Sequence, residues 1–259
     1  MVAKEDVLFL DYDNYCTTRW TDRLTAQPYA ASLDSAPVDV YFRHRFGQYA
    51  TLQEDRQKIE ETSREARLLL DSRHPYILQL LGMTVTAEGA ALIVERSACS
   101  LERLLHDRPL DPLFVVRIMA QVAAALDYLH KRGLNYNALV PGNVVLTCYV
   151  NQSSMPLAKL SNFSQCRSDH LVGAARSNRV DIADFATLLH MLMSNESEKM
   201  VSAATDPLSL AELSFSRHAA ASLIRDAWGG SLSAAELVKR LHLCELQLSD
   251  EYNISNFRL

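Results

Sequence analysis

The chain has 259 residues, 48% of them apolar, and a net charge of −5; that size suits one large domain or two tightly joined lobes. A mildly acidic balance with no basic stripe argues against general nucleic-acid affinity. No apolar run approaches the roughly 20 residues that span a bilayer, and the opening MVAKEDVLFLDYDN carries acids too early for a secretory signal.

Residues 36–46, APVDVYFRHRF, alternate as a strand does. TLQEDRQKIEETSREARLLLD (51–71) is helical in composition, with Thr51 and Glu54 spaced for a capping box. YILQLLGMTVT and AALIVE, separated by Glu88-Gly89, read as a hairpin. SLERLLHD (100–107) reads as a short helix. Asp111-Pro112 then offers an N-cap and first-turn pair for a long helix, LFVVRIMAQVAAALDYLHKRG, closed by Gly133. VVLTCYV and LAKLSNF form a second hairpin-like unit. The remainder is helical: VDIADFATLLHMLM, RHAAASLIRDAW and AAELVKRLHLCEL, the last with a Ser233–Glu236 capping box and a Leu232–Leu237 staple. A strand-rich first third followed by helices is an α+β arrangement in two lobes, with Glu95 to Cys99 as the joint. Five dispersed cysteines, Cys16, Cys99, Cys148, Cys166 and Cys244, form no C-x-x-C and argue for free thiols in a reducing, cytoplasmic setting.

Residues 136–146, YNALVPGNVVL, follow the helical LDYLHKRG. This segment resembles the catalytic loop of protein kinases, H-R-D-L-x-P-x-N followed by a short apolar strand. Further segments resemble the same family in order. SREARLLLDSRHPYILQLLG is similar to the small-lobe C helix and its following strand. LIVERSACSLERLLHD is similar to the last small-lobe strand, hinge and next helix, with Val94 as gatekeeper. KLSNFSQ leads into a D-F-G equivalent, Asn162-Phe163-Ser164, and VDIADFATLLHML supplies a buried acid, Asp181. LIRDAW is similar to the tyrosine-kinase-like group. The resemblance implies a two-lobed kinase-like fold, with a strand-rich N-lobe over about 1–95, a helical C-lobe over 96–250 and a tail over 251–259, all one domain.

Set against that family, the chemical groups are altered. The first glycine is Gly47, and the stretch matched to the glycine-rich loop is TAQPYAASLDSAP (25–37). The V-A-I-K motif aligns with Val40-Tyr41-Phe42-Arg43. Arg43 stands for the lysine and could pair with Glu65, while Tyr41 would fill the base pocket. Lys4 is the only lysine before Lys58. Ala138 replaces the catalytic Asp and Val140 the following Lys. Asn143 survives, read as a turn-former whose removal is nearly silent. Asn162 replaces the metal-binding Asp. Only 18 residues separate Asn162 from Asp181, with no A-P-E, and SQCRSDHLVGAARSNR (164–179) reads as an exposed loop. The resemblance also implies an apolar spine through Leu69, Leu80, Phe163 and Tyr136, anchored on Asp181.

These readings lead to an expectation and two rivals. The expectation is a pseudokinase: no enzyme, no cofactor (ATP and Mg²⁺ disfavoured), and a scaffold or allosteric role toward another protein, such as a signalling kinase or adaptor. One rival is a divergent ATP-binding kinase working through Asn143 and Asn162. The other binds ATP for stability alone. The chain could stand alone or form one domain of a larger protein.

Overall fold

In the computed structural model the described residues are 7–9, 29–33, 36–45, 51–86, 89–107, 110–147, 156–168, 174–194 and 218–256. The first lobe is built on an antiparallel sheet of β1 (Val7–Phe9), β2 (Tyr29–Leu33), β3 (Ala36–Arg45), β4 (Leu80–Thr86) and β5 (Gly89–Glu95), in the order β1-β2-β3-β5-β4. The alternation in β3 sorts its side chains. Val38, Val40 and Phe42 pack with Ala31, Ala91 and Ile93 on one face. Tyr41 joins Leu92 and Val94 in the main core, together with Ala66 and Leu69 of α1 (Leu52–Asp71). The Thr51 hydroxyl accepts from the Glu54 amide while the Glu54 carboxylate accepts from the Thr51 amide, closing the capping box at the start of α1.

Two readings of this lobe need correction. The stretch 25–37 is not a loop where it is described, because residues 29–33 pair with both β1 and β3. The connection between β1 and β2, residues 10–28, lies outside the described residues. The joint at Glu95 to Cys99 is also more ordered than a linker: β6 (Ser97–Ser100) pairs with β8 (Val144–Thr147), which pairs with β9 (Ala158–Leu160). Four residues with no apolar alternation gave no strand signal.

The second lobe surrounds α3 (Pro112–Lys131), capped by the Asp111 carboxylate on the Phe114 amide at 3.1 Å and followed by Gly133 at φ 66°. This 20-residue helix is apolar and long enough to cross a membrane by composition, so the statement that no such run exists is corrected. Here its apolar residues, among them Ile118, Met119, Val122 and Leu126, are buried in the protein core. Around it lie α2 (Leu101–Asp107), α4 (Ala174–Ser194), α5 (His218–Trp228) and α6 (Ala234–Asn256). β7 (Leu134–Asn135) pairs with β10 (Arg167–Ser168). The segment read as a loop to residue 179 turns helical at Ala174, so Arg176 and Arg179 lie in α4, while Arg167 donates to the Ser164 and Cys166 carbonyls. The last helix opens with the Ser233 hydroxyl on the Glu236 amide and runs on to Asn256, through most of the stretch read as a tail. Arg117–Glu245 and Arg240–Asp226 pairs tie α6 to α3 and α5.

The lobes meet through a parallel bridge between Ile77 and Leu160, with Leu78 N donating to Leu160 O and Leu160 N to Tyr76 O, both at 2.9 Å. The architecture is an α+β, two-lobed, kinase-like fold.

Candidate active site

Residues 135–143 form a loop held from below by α4. Asp181 is fully buried; its carboxylate accepts from the Tyr136 amide at 2.9 Å and the Asn137 amide at 2.7 Å, and His130 Nε2 lies 2.8 Å away. A buried carboxylate is tolerable only with such partners. They also fix the loop, including Asn137 in the left-handed region at φ 54°, which Asn tolerates better than most residues. The Tyr136 hydroxyl donates to the Ser161 carbonyl. Its ring meets Phe163 edge-on, centroids 5.4 Å apart. Leu69, Tyr136 and Phe163 are buried in one core with Leu80 packed partly buried against it.

The cleft side carries a chain of neutral groups. Asn143 Nδ2 donates to the Ala138 carbonyl at 2.8 Å, Asn162 Nδ2 to Asn143 Oδ1 at 3.2 Å, and the Ser164 hydroxyl to Asn162 Oδ1 at 2.7 Å. Asn143 also receives the Ser161 amide and hydroxyl on its backbone oxygen. Its side chain thus bonds both Ala138 and Asn162, more than a turn-former needs. Asn162 sits at φ 54°, a conformation open to Asn and Asp alike. Val140 is 43% exposed. Among the described residues no three acidic, His or Cys side chains cluster as a metal cage. The amide oxygens of Asn143 and Asn162 are hard donors, and each already accepts a hydrogen bond, so a Mg²⁺ carried in on a nucleotide would take the place of the Asn162 amide and the Ser164 hydroxyl.

The roof and hinge are charged. Tyr41 is buried, and Val94 lies across from Asp39 in the sheet register. Glu65 is buried and accepts from the Phe163 amide at 2.9 Å, placing α1 against the floor of the cleft. The side chain of Arg43 lies outside the described residues, as does the pairing with Glu65 read for it; the register breaks between Phe42 and His44. Lys159 Nζ reaches Glu95 at 2.6 and 2.8 Å, a lysine from the second lobe that the sequence reading did not weigh. Asp39, also missed, accepts from the Ser97 amide, the Ser97 hydroxyl and Arg96. Its signal was faint: one acid inside an otherwise apolar strand, VDVYF.

Two titrations flank the loop. Burial, reinforced by Asp181, raises the Asp184 carboxyl to about 6. Burial, with Asp181 adding to it, pushes the Cys166 thiol up to about 12.

The family model described as protein kinase domain matches residues 48–185. Serine/threonine-protein kinase ULK3 of Homo sapiens is 32% identical over 111 residues, 42% of this chain and 23% of that protein. Mitogen-activated protein kinase HOG1A of Wallemia ichthyophaga is 32% identical over 106 residues, 40% of this chain and 29% of that protein. Mitogen-activated protein kinase HOG1 of Saccharomyces cerevisiae is 28% identical over 145 residues, 55% of this chain and 30% of that protein. The chain thus spans less than a third of each relative. These likenesses overturn two expectations, that the chain is no enzyme and that it takes neither ATP nor Mg²⁺: the relatives are named kinases, whose kind of chemistry uses both. That expectation had rested on single side chains such as Ala138, and a general base supplies only part of the rate of phosphoryl transfer. With its matched segment covering more than half of its length, its two lobes and its braced loop, the chain belongs to the protein kinase domain family.

Proposed function

We propose that the chain is a divergent protein kinase that binds ATP between its lobes and transfers the γ-phosphoryl to a protein hydroxyl at a residual rate. The observation that carries this reading is the held loop: Asn143 fixes Ala138 at 2.8 Å and Asp181 fixes the amides of Tyr136 and Asn137. Phosphoryl transfer depends mostly on positioning and charge stabilisation, whereas a general base adds about 10²–10⁴-fold. Ala138 has no proton acceptor, so the hydroxyl proton leaves to water and the rate falls without vanishing. Mg²⁺ arriving with the nucleotide would neutralise phosphate charge, and Asn143 and Asn162 are the residues that would hold it.

The domain reading is one kinase-like unit over 1–259, with lobes at about 1–95 and 96–250. Placement in the tyrosine-kinase-like group rests on residues 223–228 alone. A cytoplasmic setting is supported by Cys99, Cys166 and Cys244, all free thiols.

The test is direct. Millimolar ATP with Mg²⁺ is expected to raise the melting temperature by several degrees, since ligand at 100 times Kd adds about 2.7 kcal/mol. Labelled phosphate should enter a protein acceptor slowly, and Ala138→Asp should speed it by at least ~10²-fold. No melting shift together with no incorporation would sink the proposal. A second role, contact with a signalling kinase or adaptor that it scaffolds or regulates, is favoured by Ala138 and the neutral Asn162, which leave the cleft poorer in charge than the relatives' chemistry calls for. Co-purification of a defined partner with the full chain, lost on disrupting the lobe faces, would test it.

A further inference from the structure

We propose that Asp39 gates the nucleotide site by holding the hinge amide of Ser97, so that a purine base must displace an internal carboxylate to enter; this rests on the nucleotide-binding reading above. Asp39 is 2% exposed and stands on the same face of β3 as Tyr41, across from Val94. Its carboxylate accepts from the Ser97 amide at 3.0 Å, the Ser97 hydroxyl at 2.6 Å and Arg96 Nη1 at 2.7 Å. That amide therefore points to the sheet face on which Tyr41 and Val94 are buried, the face where the resemblance places the base. All three donors come from two consecutive hinge residues, so the buried charge is compensated only while the hinge rests on β3.

The third hinge residue is held the other way. Glu95 bonds Lys159 of β9 at 2.6 and 2.8 Å and accepts from the Gln79 amide at 2.7 Å. Glu95, Arg96 and Ser97 are thus clamped between the lobes by two carboxylates, one at each end. A ring nitrogen of a purine is a neutral acceptor. It competes for the Ser97 amide against an ionised one, whose hydrogen bonds are roughly twice as strong. The protein that binds is the fraction in which Asp39 has let go, and the apparent affinity is scaled down by that fraction. A carboxylate placed only for stability would leave affinity unchanged, or lower it, when removed.

The experiment titrates ATP with Mg²⁺ into the full chain by calorimetry, comparing wild type with Asp39→Ala and Ser97→Ala. Asp39→Ala is expected to bind about tenfold or more tightly although its melting temperature falls. Ser97→Ala, which keeps the amide but loses the 2.6 Å hydroxyl bond, should gain a smaller factor of about two to five. Hydrogen exchange at the Ser97 amide supplies the second readout: protected in nucleotide-free wild type, open in nucleotide-free Asp39→Ala, and protected again when ATP is added. Equal affinities across the three proteins overturn the gate and leave nucleotide binding standing. Absence of binding in all three overturns the nucleotide reading and the gate with it. If Asp39→Ala does not fold, Ser97→Ala decides: tighter binding supports the gate and unchanged binding defeats it.

Discussion

The loop at residues 135–143 has two sides that depart from the kinase pattern to different degrees. Away from the cleft it rests on hydrogen-bonded and aromatic contacts: Asp181 of α4 under two amides, His130 beside it, and Tyr136 against Phe163. Toward the cleft the same loop offers Ala138 and Asn143, joined there by Asn162 from the segment after β9, with not one carboxylate among them. The contrast teaches that the position of a catalytic loop and its chemistry are carried largely by different residues, with Asn143 serving both. Backbone amides do not depend on the side chains that project from the opposite face, so the frame can persist while the reacting groups change.

The sharpest way to break that contrast is Phe163→Ala. Phe163 is fully buried against Tyr136, and the cavity should cost about 3–5 kcal/mol, read as a lower denaturant midpoint at unchanged slope. A loss no larger than that of a cleft-side substitution would mean that the two sides do not differ. Next comes Asp181→Asn, which keeps the shape but can no longer accept on both sides. One loop amide is left without its partner, at about 1–3 kcal/mol, and hydrogen exchange at Tyr136 or Asn137 should quicken. Unchanged exchange at both amides would remove Asp181 as the brace.

Asn143→Ala probes the cleft side. It deletes the bond to Ala138 and the acceptor used by Asn162, so about 0.5–1.5 kcal/mol is expected by thermal unfolding. A larger loss than Phe163→Ala would put the structural weight on the reaction face instead. The smallest effect is the pH response of Asp184. Its folded pKa of about 6 lies above the ordinary 3.8, so between those values the native state holds the extra proton. Stability should therefore fall as pH rises from 4 toward 6, and Asp184→Asn should flatten that slope. An equal slope in the variant would show that another group titrates there.

The sequence by itself determined the helices with caps, the hairpin and the order of kinase-like segments. Thr51 with Glu54, and Asp111 with Pro112, signal locally, because a capping side chain bonds an amide only a few residues away. It also exposed Ala138 and Asn162 as departures from the motif, since a motif is read at fixed spacing. Tertiary structure decided the rest. Asp39 and Ser97 are 58 residues apart, Lys159 and Glu95 are 64 apart, and Glu65 and Phe163 are 98 apart. Nothing in the local pattern of either partner names the other. Strand β6 shows the same limit: SACS has no alternation of its own and becomes a strand only because β8 supplies the ladder of donors and acceptors beside it. Local chemistry is written along the chain, whereas a bond across the cleft exists only once both lobes have closed on a common core.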